Sequence, residues 1–301
     1  MPSNMHEYIP YSAITDRPPL HLPDNGRIAI WTIVNVEHWL IGGAMPRTVL
    51  PPPLDQPRLP DIANWSWHEY GMRVGFWRFI QLFDRLGIRP TLAINGRVCE
   101  SYPRITEAAA DRGWDFMGHG FEQLPMHNIE DQDDAIAKTI DAIRRATGKP
   151  PRGWESPGLT QTHETAAALK RAGIEYIADL VMDDQPCRVE TKDGPLVALP
   201  YTVEMNDVVM TAVQQHPSKE IFTRGIDQFE RLYAESKDSA RVMAISLHPY
   251  LTGVPHRIGH VEALYERLAD SEGVAFMNGS EILDWWQDAS QDDPAQTSTV
   301  S

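Results

Sequence analysis

Cysteine is scarce: Cys99 and Cys187 are the only two in 301 residues. One possible pair cannot form a disulfide framework, so free thiols and a reducing, cytoplasmic compartment are expected. Long apolar runs are missing too. No stretch would span a bilayer, and Met1 to Pro10 lacks the basic-then-apolar order of a secretory signal. Positive charge is short: 27 Lys and Arg stand against 42 Asp and Glu, a formal charge of −15. That balance argues against a nucleic-acid or anionic-membrane partner. There is no Gly-x-Gly-x-x-Gly after a strand, no phosphate loop, no His-Glu-x-x-His and no Gly-x-Ser-x-Gly, so dinucleotide, nucleotide, zincin and serine-hydrolase chemistries lack their motifs.

What is present is an alternation of buried strands and amphipathic helices. The first strand, Arg27-Ile-Ala-Ile-Trp-Thr-Ile-Val-Asn-Val-Glu-His-Trp39, is apolar and β-branched until its end, the pattern of a strand covered on both faces. Further strands are predicted at 90–95, 114–117, 153–157, 176–181, 196–203, 242–247 and 274–277. Between them, helical spacing links Met72, Phe76, Phe79, Ile80, Phe83 and Leu86, and later Ile129, Ile136, Ile140 and Ile143. Asn128, Thr160, Ser218 and Ser280 are the expected helix caps. Leu50-Pro-Pro-Pro-Leu forbids helix in a long insertion at 42–67, whose Trp65 and Trp67 suggest a packed lid. The alternation predicts a single-domain α/β fold, a distorted (β/α) barrel of about seven strands. Residues 1–26 form an arm, 27–287 the catalytic barrel and 288–301 a disordered tail.

Polar groups gather at the strand ends. Asn35, Glu37 and His38 close the first strand and His119 the third. Trp154, Glu155 and Ser156 close the fourth, Asp179 lies in the fifth, and His248 closes the seventh. In a barrel these ends converge on the face that carries the active site. A carboxylate with two or three imidazoles there suits metal-assisted hydrolysis or metal-free acid–base chemistry. Cys99 and Cys187 stand at no strand end with a base beside them, so neither is expected to be a nucleophile.

Over roughly residues 25–287 the strand–helix order resembles the polysaccharide deacetylase (NodB-type) family. Where that family ends its first strand in Asp-Asp, base then metal ligand, this chain has Glu37 and His38. Where it has His-x-x-x-His, this chain has His119-Gly-Phe-Glu-Gln123, with His127 eight residues on instead of four. Ser246-Leu-His248 matches its late Leu-His. Tyr70-Gly-Met-Arg-Val-Gly-Phe-Trp-Arg78 and Leu247-His-Pro-Tyr-Leu-Thr-Gly-Val-Pro-His-Arg257 resemble the branch that acts on small cyclic amides, the allantoinase-like and cyclic-imide hydrolase members.

The resemblance implies a hydrolase that opens a C–N bond of an imide, hydantoin or allantoin-like ring. Glu37 would activate water, and His119 or His248 would stabilise the oxyanion or protonate the leaving nitrogen. Asn35, His38, Gln123, Trp154, Glu155 and Ser156 would bind substrate, with Trp39, Trp65 and Trp67 as further walls. With Gln123 in place of a ligand, no metal is expected; zinc or another divalent ion on Glu37, His38 and His119 is the alternative. A metal-dependent N-deacetylase of an amino sugar is the second reading, and a ligand-binding protein without activity the third. The resemblance and the arm together suggest a homo-oligomer, a tetramer in the fullest case.

Overall fold

The computed structural model describes residues 5–57 and 59–290. Nine strands form one sheet: β1 Ile28–Val36, β2 Thr91–Ile94, β3 Asp115–Gly118, β4 Gly153–Trp154, β5 Tyr176–Ile177, β6 Cys187–Val189, β7 Leu196–Ala198, β8 Arg241–Leu247 and β9 Val274–Phe276. Their order is β6-β7-β5-β4-β3-β2-β1-β8, with β9 beside β1. All pairings are parallel except β6 with β7. β1 is the axis. It pairs with β8 from Ile28 to Val34 along one edge; along the other it pairs with β9 at its start and β2 at its end.

The strands curl into an incomplete barrel ringed by helices. Irregular backbone covers the outer edge of β8: Ala240, Val242 and Ser246 donate their N–H groups to the carbonyls of Leu20, Asp184 and Met205. Thus the arm lies on its own barrel. It is pinned by Leu20 and Leu22, both buried, and by the Arg17–Asp183 ion pair at 2.6 Å.

Strand parity sorts the core. Ile28, Ile30, Val34 and Val36 point outward into a cluster with Phe76, Phe79 and Phe83 of the helix Phe76–Leu86. Ala29, Trp31 and Ile33 point inward, to Met117, Tyr176, Tyr201 and Ala244. The last helix, Gly279–Ala289, joins this inner cluster through Ile282, Leu283, Trp285 and Trp286. Side chains two apart share a face, so Asn35 and Glu37 continue the inward series above Ile33.

Several boundaries differ from the expected ones. β6 falls in a stretch read as loop, because three residues are too few to show a period. Strands four to six are shorter than their apolar runs, since only their first residues find ladder partners; Asp179 lies past β5. Among the described residues the insertion carries a 3₁₀ turn, Pro53–Asp55, and Trp65 and Trp67 sit on a helix, Ile62–Tyr70, capped by Asp61. Asp131 rather than Asn128 caps Gln132–Thr147. Asn128 ends a 3₁₀ turn. Thr160 spends its hydroxyl accepting from the Met126 N–H and donating to the Pro157 carbonyl, so the next helix starts only at Thr165. The helix Glu220–Glu235 follows Lys219, not Ser218. Asn278 and Glu281 form a capping box at the last helix, while Ser280 donates to Asp115. That helix runs to Ala289, past the expected start of the tail at 288; residues 291–301 lie outside the described residues. None of the described helices is long and apolar enough to cross a membrane.

Candidate active site

Parity at the strand ends decides which polar groups meet. Glu37, Asn95, His119, Glu155, Ser246 and His248 follow inward positions of β1, β2, β3, β4 and β8. Glu37 is 5 % exposed, His119 2 % and His248 5 %. Glu37 Oε1 lies 3.6 Å from His248 Nε2 and 4.0 Å from His119 Nε2. It accepts a 2.9 Å hydrogen bond from Gln123 Nε2, and Oε2 accepts one of 2.7 Å from Trp39 Nε1. Both carboxylate oxygens are therefore held.

The two imidazoles differ in state because their far nitrogens meet different partners. His248 Nδ1 lies 2.7 Å from Asp207 Oδ1, and the other Asp207 oxygen accepts from the His248 N–H at 2.8 Å and from Thr252 Oγ1. Burial works against a charge on His248, but Asp207 and Glu37 on its two sides push its pKa up to about 9. His119 Nδ1 faces the Glu155 carbonyl oxygen at 2.9 Å. A carbonyl only accepts, so Nδ1 carries the hydrogen and Nε2 keeps its lone pair. Burial, partly offset by Glu37, holds His119 down at about 4. Burial also raises the Glu37 carboxyl, yet His248, His119 and His68 outweigh it and hold it down at about 2. At neutral pH the site thus holds a carboxylate, an imidazolium and a neutral imidazole.

Beneath this layer runs a polar chain. Tyr201 Oη donates to Glu155 Oε1 at 3.0 Å and lies 2.8 Å from Ser246 Oγ, which accepts from Asn35 Nδ2 at 2.8 Å. Burial pushes the Glu155 carboxyl up to about 8, and its Oε2 has no partner.

The remaining expected residues point elsewhere. His38 has the opposite parity to Glu37; its ring stands 6.2 Å from that of Tyr102, away from the imidazoles. Trp154 is fully buried in an outer cluster with Ile136, Ala166 and Leu169 and does not wall the pocket. Ser156 shares that side, bonded to Asp179 through N–H and Oγ at 2.7 and 3.0 Å. Asp207, Asn95 and Tyr201 were absent from the expected set. Asp207 heads a short π-helical turn, Val208–Val213, with no strand end to flag it.

A lid covers the site. Trp39, Val208, Tyr250 and Leu251 form a cluster joined by Met45, Trp65 and Trp67. His68 stacks on Trp39 at 4.3 Å and 17°, and Trp65 Nε1 donates to the Trp39 carbonyl at 3.1 Å. Asn64 clamps the proline-rich loop, its Oδ1 accepting from the N–H groups of Val49 and Leu50. A cavity of about 1270 Å³ lies on the flank, between the arm and β6–β8; of the inner polar residues just described, only Tyr201 lines it.

The donor set does not fit a divalent metal. Among the described residues no three His, Cys, Asp or Glu side chains are placed to hold one. Glu37 already accepts from Trp39 and Gln123, Gln123 offers its NH₂, and His38 faces away. Burial pushes the Cys99 and Cys187 thiols up to about 11 and 12, so neither is an activated nucleophile.

Residues 67–177 match the family model described as Polysaccharide deacetylase. The chain is similar to a Schizosaccharomyces pombe protein named "Putative polysaccharide deacetylase", 28% identical over 240 residues, covering 73% of this chain and 75% of that one. It is also similar to the Peptidoglycan deacetylase of Helicobacter pylori, 24% identical over 245 residues, with 70% and 83% covered. Among solved structures, PuuE allantoinase superposes with a TM-score of 0.81 at 24% identity, over 93% of this chain and 97% of that one. At that identity the likeness establishes a shared fold.

Proposed function

We propose that the chain is a C–N hydrolase of the polysaccharide deacetylase type, the family whose model matches residues 67–177, and that it opens the ring of a small cyclic amide or imide with water activated by Glu37. The observation that carries the reading is the line Asp207–His248–Glu37, with 2.7 Å and 3.6 Å between the charged atoms. Water placed between Glu37 Oε1 and His119 Nε2 would give a proton to Glu37 while its oxygen bonds the ring carbonyl carbon. His248 Nε2–H would face the developing oxyanion and then protonate the leaving nitrogen as the C–N bond breaks. A carboxylate held at about 2 is a weak base in the resting site. Its basicity rises as His248 turns its hydrogen toward the substrate. The proton taken by Glu37 then returns to His248, restoring both groups. No step passes through a metal.

The closed site favours a small ring over a polymer. An aromatic lid of Trp39, Trp65, Trp67 and Tyr250 suits a planar substrate with few polar groups, whereas a polysaccharide needs an open groove. The test is a panel of imides, hydantoins and N-acetylated amino sugars, assayed with and without chelator. Ring opening insensitive to chelation is expected; deacetylation that chelation abolishes and zinc restores would replace this reading with the second one.

Self-association is part of the proposal. Leu40, Ile41, Val49, Leu50, Leu54, Leu59 and Ile62 are large apolar side chains left exposed on the lid segment, the surface character of an interaction site. Light scattering on the purified chain would decide it, a monomer at all concentrations counting against it.

A further inference from the structure

Two amides beside Glu37, the fully buried Asn95 and the half-buried Gln123, have their orientation dictated from both ends. The His38 backbone N–H can only donate, so the Asn95 atom 2.7 Å away is Oδ1. The His119 carbonyl can only accept, so the Asn95 atom bonded to it is Nδ2. Nδ2 also faces Gln123 at 3.2 Å, which requires Oε1 there. The atom left to meet the Glu37 carboxylate, an acceptor, is Gln123 Nε2 at 2.9 Å. Each link is fixed by a group whose role cannot change, and the series runs without a break from a backbone N–H to the carboxylate. Asn95 is fully buried, so water does not substitute for it.

We infer that Asn95 is a positioning residue that locks Gln123 with its NH₂ toward Glu37, making residue 123 a fixed hydrogen-bond donor in the site. A turned Gln123 would set its carbonyl oxygen against the carboxylate and its NH₂ against that of Asn95. The lock has two effects. It holds Glu37 as an anion in one orientation, and it keeps the Gln123 oxygen out of the pocket. Of the two Nε2 hydrogens Glu37 takes one, and the other can serve a substrate carbonyl. The bland alternative is that Asn95 only ties the ends of β1 and β3 through His38 and His119.

Hydrogen exchange of the Gln123 side-chain amide tests the lock without any substrate. The resonance is identified in ¹⁵N-labelled protein by its loss in Gln123→Ala. In Asn95→Ala, exchange should quicken about tenfold, the equivalent of one net hydrogen bond. Should the Ala variant melt early, Asn95→Ser, whose hydroxyl is too short to reach Gln123, serves instead. Unchanged exchange in a folded variant would overturn the inference. A second arm rests on the proposed reaction. Asn95→Asp keeps the acceptor for His38 N–H but offers Gln123 an oxygen, drawing its NH₂ away from Glu37. Turnover by the isosteric Asp variant should therefore fall below that of the Ala variant. The Asp variant also turns an acceptor to the His119 carbonyl, so a brace role lowers its turnover too and the exchange measurement separates the two roles; turnover at or above that of the Ala variant would refute the lock. If no cyclic amide is turned over by the unsubstituted protein, the reaction fails while the exchange measurement still decides the role of Asn95.

Discussion

Asp207 binds His248 at two points, accepting from its ring Nδ1 at 2.7 Å and from its backbone N–H at 2.8 Å. One carboxylate thereby sets both the charge and the direction of the imidazole. Asp207→Asn keeps the shape and removes the charge. His248, held near 9, should then titrate closer to its ordinary value, and the alkaline limb of the kcat profile should move to lower pH. At pH 7.5 the rate should fall about 10²-fold, the lower range for a lost acid–base contribution. The pH–rate profile checks this; an unmoved alkaline limb would mean that His248 is not the titrating acid.

Stability should follow the same groups. The folded pKa of His248 lies above its ordinary 6.5, so its contribution is full below about pH 6.5 and is lost as pH rises through about 9. His119 and His68 are held down at about 4. The unfolded chain takes up their protons first, so stability falls as pH drops from about 6.5 to 4. Glu37, held at about 2, contributes above its ordinary 4.5 and gives way only in stronger acid. Burial raises Glu155 to about 8 and Asp179 to about 7, so these carboxyls favour the fold in acid and weaken it as pH rises past their ordinary values; thermal melts from pH 3 to 10 should therefore peak on the acid side of neutrality, with the acid loss smaller in His68→Phe.

How much of this was legible in the sequence depends on parity. The run from Ile28 to Val36 revealed the central strand, and the polar ends of β1, β3 and β8 led to Glu37, His119 and His248. Counting strand ends without counting faces also drew in His38, Trp154 and Ser156, each one residue out of phase with an inward neighbour. The alternation already present in β1 separates Glu37 from His38. Asp207 and Gln123 were of another kind: Gln123 was flagged only by its place in the motif that starts at His119, and Asp207, at the head of a short helical turn, by nothing but the folded contacts.

The two long segments that resembled the cyclic-amide branch pack on each other. Gly71 and Gly75, on one face of a π turn, lie against the backbone of Tyr250 and Pro249; a Cβ on Gly75 would come within 2.1 Å of the Pro249 oxygen. Arg78 donates to the Gly253 carbonyl at 2.6 Å across the same contact. Gly75→Ala should displace the chain that carries His248, costing about 1–3 kcal/mol of stability as an overpacked contact does and lowering kcat in the folded fraction. Denaturant unfolding with parallel kinetics checks it. Wild-type values for both would show that the close approach is dispensable.

The most direct test of the account is the turnover of Glu37→Gln. Glutamine keeps the size of the side chain and can accept from Trp39 or from Gln123, one of the two donors that Glu37 accepts from, but it cannot take a proton from water. The account predicts a folded protein that still binds a cyclic amide substrate and loses roughly 10²–10⁴-fold in kcat, the usual contribution of a general base. Near wild-type kcat in folded Glu37→Gln would contradict it and move the search for the base to Glu155, the other inward carboxyl of the site.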